Sequence, residues 1–212
     1  MKHINFLRGD LTFMNREEFL ITCAEGNQEQ VINAIKSGAD PNEIFYPCSG
    51  IIKNALDIAV SMNNTEAAAA LLANGANPDF RDSKGRTALM YSVLVSSEMV
   101  RILLEGGADP NLRDMNGRTA LGMAVAGHDM SLERFIYVMI QVRGFKADCW
   151  KDLLFATLIS SAYSRHEQLE TVRELLNNGA DITICDNTGM NAAAYAMMSS
   201  DDEIFAMLTG IN

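Results

Sequence analysis

The sequence predicts an all-α solenoid of stacked helix-turn-helix units, with hairpin turns along one edge. Three observations carry the prediction. A five-residue block recurs four times, a glycine turn block follows three of the copies, and the apolar residues between blocks keep helical spacing.

The first block is Gly38-Ala39-Asp40-Pro41-Asn42, which returns as Gly75-Ala76-Asn77-Pro78-Asp79, Gly107-Ala108-Asp109-Pro110-Asn111 and Gly179-Ala180-Asp181-Ile182-Thr183. The second is Asp82-Ser83-Lys84-Gly85-Arg86-Thr87-Ala88-Leu89, then Asp114-Met115-Asn116-Gly117-Arg118-Thr119-Ala120-Leu121, then the weaker Asp186-Asn187-Thr188-Gly189-Met190-Asn191-Ala192-Ala193. Gly75 to Gly107 and Gly85 to Gly117 are each 32 positions. Asp-x-x-Gly reads as a turn, in which the carboxylate binds nearby amides and glycine supplies positive φ. Thr87 and Thr119 stand where a helix must begin, so their hydroxyls are expected to cap it. A short first helix is expected over 87–94 and a second over 98–105. The second carries Val100, Leu103 and Leu104 on one face, and Gly107 closes it. A unit this small cannot bury its own apolar face, so stacking is obligatory.

At these residues the sequence resembles the ankyrin-repeat family. The family pattern Asp-x-x-Gly-x-Thr-Pro-Leu-His, a helical pair, then Leu-Leu-x-x-Gly-Ala-Asp matches 82–109 closely and 114–139 less well. The resemblance covers most of the chain from Asn15 and implies about six units, including caps, after an N-terminal extension over 1–14. Their expected bounds are 15–42, 43–78, 79–110, 111–144, 145–182 and 183–212. Several departures matter. Ala88 with Met90, and Ala120 with Gly122, replace the family's Pro and His, so the histidine that usually ties hairpins together is missing and looser joints are expected. The unit from Asn111 lacks a closing Gly-Ala-Asp, and its second helix reads on to about Val142. The next has no Asp-x-x-Gly, and 150–163 reads as an unusually long first helix. Gly38 to Gly75 spans 37 positions, because 43–54 replaces the usual turn with a longer finger. Ile44, Phe45 and Tyr46 are expected near its tip, available to a partner; the alternative is that the rings fold back over the first unit.

The bulk numbers narrow the function. A chain of 212 residues, 48% hydrophobic and 21% charged, has the balance of a folded protein. Its net charge of -10 argues against nucleic-acid binding, which needs a basic face. Cys23, Cys48, Cys149 and Cys185 lie far apart, without a C-x-x-C pair or zinc-like histidine spacing, and read as reduced thiols. No metal or cofactor is expected. Residues 1–14 lack the apolar core of a signal peptide, and apolar runs such as 135–140 are far short of the ~20 residues that cross a bilayer. A monomeric cytoplasmic protein without membrane contact is expected, and secretion by a signal-less route stays open.

No catalytic constellation stands out. Gly127-His128 matches the Gly-His that the family uses between helices, His166 reads as part of an inter-helix turn, and His3 lies in the N-terminal segment. No Ser or Cys sits in a nucleophile motif such as G-x-S-x-G. Asp181, Asp186 and Asn187 with Gly189 lack the ligand alternation of a calcium loop and read as a turn. Asp201, Asp202 and Glu203 read as a helix N-terminus, with Ser200 and Glu203 at capping-box spacing. Met197, Met198 and Met207 read as core filler.

The resemblance therefore implies a non-catalytic protein-protein interaction module: an adaptor, scaffold or inhibitor that binds another protein through hairpin tips and a concave face. The expected contacts are Arg81, Ser83, Lys84 and Arg86 on one tip and Arg113, Met115, Asn116 and Arg118 on the next. Leu94 joins them from the neighbouring helix, and Phe45 and Tyr46 from the enlarged finger. A constant period would align the cations as a basic ridge suited to carboxylates, against the plainer reading of solvated turn residues. The alternative function is an acidic immunity or antitoxin-like inhibitor of a basic partner enzyme. Its contacts would lie on Glu174, Asp181, Asp186, Asp201, Asp202 and Glu203, a stretch without Lys or Arg. A regulatory domain of an enzyme is a third reading, with no motif behind it.

Overall fold

The computed structural model describes residues 16–45, 53–126 and 165–210, and among them ten helices stack as five helical hairpins. The pairs are α1 (Arg16–Glu25) with α2 (Gln28–Lys36), α3 (Ala55–Ser61) with α4 (Thr65–Ala73), and α5 (Ala88–Ser92) with α6 (Ser97–Glu105). They continue as α7 (Ala120–Ala126) with α8 (Arg165–Asn177) and α9 (Ala192–Met198) with α10 (Asp202–Thr209). First helices pack on first helices of the next pair and second on second, which is the predicted all-α solenoid. The strands of the described residues are β1 (Ile44–Phe45) and β2 (Lys53–Asn54), antiparallel, with Ile44 opposite Asn54 and Phe45 opposite Lys53. No described helix is long and apolar enough to cross a membrane.

Side-chain caps start most of the described helices. Asn27 and Gln30 cap α2 reciprocally, at 3.0 and 2.9 Å, and Asn54 and Asp57 do the same for α3 at 2.8 and 3.0 Å. Asn64, Ser96, Asn191 and Asp201 each accept an amide three residues on. Two expectations are corrected here. Thr119 accepts the Gly122 amide at 3.2 Å, but Thr87 makes no capping bond. Asp201, not Ser200, caps α10, because Ser200 turns to a φ of 54° and passes the capping role one residue on. Close approach between layers is set by small residues: Ala67, Ala68 and Ala70 of α4 are fully buried, and a Cβ on Gly106 would lie 2.7 Å from Leu72 Cδ1.

The described residues form five stacked units, where the sequence led to six over the whole chain. Asn42 ties consecutive Gly-Ala blocks: its Nδ2 donates to Gly75 O at 2.9 Å and its Oδ1 accepts Asn77 N at 2.7 Å. Asn111 makes the same pair of bonds with Gly179 O and Asp181 N, at 3.0 and 2.7 Å. Those two blocks are therefore adjacent layers, although Gly107 and Gly179 stand 72 positions apart. The helix α8 completes the unit that α7 opens. Gln168 Nε2 donates to Ala124 O of α7 at 3.0 Å, and Glu167 accepts Ser97 N of α6 at 2.9 Å, as Glu66 of α4 accepts Gln28 N of α2 at 3.2 Å. In sequence, 127–164 separate α7 from α8 and lie outside the described residues, so 145–164 of the unit expected over 145–182 lie there too. The helices expected up to Val142 and over 150–163 fall on residues outside those described.

Two further placements differ from expectation. Phe45 is buried, at 7% exposure, at the base of the enlarged finger, where strand pairing sets it opposite Lys53 and the Arg16 guanidinium lies 5.0 Å over its ring. The reading in which this ring folds back is the one realised; Tyr46 lies outside the described residues. Met197 and Met198 are 66% and 75% exposed rather than core filler. The counterparts of Met197 at the same place in earlier units, Val60, Val93 and Val125, are buried under a following layer, and no described layer follows α9.

Candidate partner-binding surface

Each finger is built around one aspartate. Asp82 Oδ1 accepts the amides of Lys84 and Arg86 at 2.7 and 2.8 Å, and Asp114 Oδ1 those of Asn116 and Arg118 at 2.8 and 2.9 Å. Asp186 does likewise with Thr188 and Met190, at 2.8 and 3.1 Å. The glycine of each block follows with positive φ.

Bonds between fingers join the three into one ribbon. Met115 N donates to Lys84 O at 3.0 Å, Asn187 N to Asn116 O at 2.9 Å, and Asn187 Nδ2 to Met115 O at 3.0 Å. Arg81 donates to Arg113 O, and Arg113 in turn to Cys185 O at 2.9 Å and Gly117 O at 3.1 Å. At Gly117, with φ 77°, a Cβ would lie 2.6 Å from Asn187 Oδ1. Joints that lack the family's histidine are therefore tied by other means, against the looseness expected of them.

The second carboxylate oxygens take side-chain partners. Asp82 Oδ2 accepts the Tyr91 hydroxyl at 2.6 Å, and Asp186 Oδ2 accepts that of Tyr195. Asp114, whose side chain is 1% exposed, instead takes Arg118 Nε and Nη2 at 3.2 and 2.8 Å, with Arg86 Nε 3.7 Å away. Burial acts to raise the Asp114 pKa, but the Arg118 guanidinium and the turn amides outweigh it and hold the carboxyl below its ordinary value. At Asp186 burial is again outweighed, by the Thr188 and Tyr195 hydroxyls and turn amides, and the carboxyl falls to about 2. Tyr91 is pushed up by burial and by its bond to Asp82, and both Arg86 and Lys53 lie 5.8 Å from its ring centre.

The basic ridge is thus largely engaged within the fold. Arg81 and Arg113 hold neighbouring fingers, while Arg86 and Arg118, at 13% and 19% exposure, share Asp114. Lys84 is half-buried, whereas Ser83, Met115 and Asn116 are exposed, Met115 to 70%. Leu94 does not join them: α5 ends at Ser92, and Leu94 lies half-buried in the turn beyond it, at the opposite end of the helix from the finger. Asn187 and Thr188, which sequence reasoning left out, extend the exposed row. Sequence reasoning also missed the role of Tyr91 and Tyr195, for which their common distance of nine positions from the turn aspartate was the available signal.

The acidic end is also partly engaged. Arg165 clasps Asp201 and reaches Glu203 at 3.2 Å, although it lies 36 positions before Asp201. Asp181 accepts the Thr183 amide and hydroxyl at 2.8 and 2.7 Å. His166 is exposed as the second residue of α8, rather than in a turn; His3 and His128 lie outside the described residues.

The family model described as ankyrin repeats (3 copies) matches residues 19–114 and 56–142, and the model described as ankyrin repeat matches residues 156–187. No curated protein matches the chain.

Proposed function

Because the chain belongs to the ankyrin-repeat family, whose repeats are generally protein-protein interaction modules, we propose that it is a non-catalytic module binding another protein through the fingers of units three to five. One observation carries the reading: three consecutive fingers form a single hydrogen-bonded ribbon that presents Ser83, Met115, Asn116, Asn187 and Thr188 in a row. A ribbon fixed by backbone bonds loses little freedom on binding, which favours affinity. Its chemistry is an adaptable thioether among hydroxyls and amides, suited to a mixed apolar and polar protein surface. With Arg86 and Arg118 already paired to Asp114, the arginines act chiefly by shaping the face. The net charge of -10 supports long-range attraction of a basic partner, the feature that keeps the inhibitor reading in play.

The test is affinity capture from the native cell, using the wild-type chain and a Met115→Asp, Asn116→Ala variant. Both residues are exposed, so the variant should keep its melting temperature while its partner affinity falls about tenfold or more. A partner held equally well by that variant, but lost on changing Asp202→Asn with Glu203→Gln, would move the contact to the C-terminal unit.

A further inference from the structure

A buried carboxyl in the second unit occupies a place where later units carry nothing that titrates. Asp57 is the third residue of α3 and 4% exposed; three residues after the helix-opening Thr87, Thr119 and Asn191, the corresponding positions hold Met90, Gly122 and Ala194. The reciprocal cap fixes it, since Asp57 Oδ2 accepts the Asn54 amide at 3.0 Å while Asn54 Oδ1 accepts the Asp57 amide at 2.8 Å.

A second buried carboxyl, Asp82, comes from the next finger at 6% exposure, with its oxygens bonded to the Lys84 and Arg86 amides and the Tyr91 hydroxyl. Lys53 of β2 acts on both carboxylates and is itself half-buried, with Nζ 5.8 Å from the Tyr91 ring centre. Arg86 stands between this set and Asp114, with its guanidinium 5.8 Å from the same ring centre and its Nε 3.7 Å from the Asp114 carboxylate. The other elements packed on α3 add no compensating charge: α1 buries Phe19 and Cys23, and α4 buries Ala67 and Leu71. Of these only Cys23 titrates, and burial raises its thiol to about 12.

Two buried carboxylates meet one half-buried ammonium at the contact between units two and three, where an ionised Asp57 is a charge held out of water. We propose that this contact is a proton-linked joint, closed when Asp57 carries a proton and loosened when it is ionised. A proton on one oxygen leaves the other free to accept from Asn54, so protonation removes the charge without undoing the helix cap. Burial pushes Asp57 up to about 7, with Asp82 adding to it and the Asn54 bond and Lys53 opposing. The folded value lies above the unfolded one, so the native state holds the extra proton between the ordinary carboxylate range and about pH 7. Stability at the joint falls as pH rises through that window and stays low above it. In a solenoid each layer touches only its neighbours, so the loss falls on units one and two.

The test uses the whole chain. Amide exchange, corrected for its intrinsic pH dependence, is compared at about pH 5.5 and about pH 8 between α1 to α4 and α8 to α10; protection of the first group should fall about tenfold relative to the second. In Asp57→Asn, which keeps an acceptor for Asn54, the fall should vanish. The carboxyl carbon of Asp57 in the wild type, followed by NMR, should titrate near neutrality, a readout that does not depend on the variant folding. A midpoint in the ordinary carboxylate range, or an equal fall in protection in wild type and variant, would overturn the proposal.

Discussion

Removing the Asp114 carboxylate should be among the most damaging single changes in the fingers. Asp114→Ala deprives two amides, at 2.8 and 2.9 Å, and the Arg118 fork, at 2.8 and 3.2 Å, of their acceptor, and leaves Arg86 without its counter-charge. Hydrogen bonds to a charged group contribute about 1.5–3 kcal/mol each, not additively, and losing one member of a buried pair costs about 3–5 kcal/mol. Because Arg86 and Arg118 retain 13% and 19% exposure and can turn toward water, the expected loss is near the lower bound, about 3 kcal/mol. Asp114→Asn keeps Oδ1 for the amides and loses only the charge, so about 1–2 kcal/mol is expected. Urea unfolding followed by circular dichroism gives both values, provided the slope is unchanged. If Asp114→Ala costs less than about 1 kcal/mol, the arginines are not held by this carboxylate, and they return as candidates for partner binding.

Gly117→Ala and Gly75→Ala both place a side chain at positive φ, but only the first meets a neighbour, Asn187 Oδ1 at 2.6 Å. The expected losses are about 1 kcal/mol at Gly75 and clearly more at Gly117, by the same unfolding assay. Equal losses would mean that the fourth and fifth fingers do not press together there. Tyr195→Phe should cost about 1 kcal/mol at neutral pH. The Asp186 carboxyl it bonds sits at about 2, below the ordinary 3.8, so the stabilisation is complete above the higher value and disappears as pH falls through the lower. Thermal melts of wild type and variant should therefore converge toward about pH 2; a constant gap would contradict this.

The parts legible in the sequence are those with local causes. Asp-x-x-Gly predicts the fingers because the carboxylate and the amides it binds lie within four residues, and Gly107 closes α6 as its position indicates. The register after α7 was not legible, since 72 positions suit two long units as well as one interrupted unit. What separates them is the buried bond from Gln168 to Ala124, 44 positions apart. The charges fail for a similar reason. Residue types place Arg86 and Arg118 on one edge, but that both converge on Asp114 depends on how adjacent layers stack. Phe45 illustrates burial winning over exposure: strand pairing, not loop length, sets its position.

Adjacency of the fourth and fifth fingers, with α7 and α8 as one unit, is measured most directly by nuclear Overhauser contacts from the Asn187 amide in the whole chain. With Asn187 N 2.9 Å from Asn116 O, strong contacts to protons of residues 115–117 are expected. Contacts from Asn187 to residues within 145–164, with none to 115–117, would restore a separate layer between the fingers and contradict the five-unit stack.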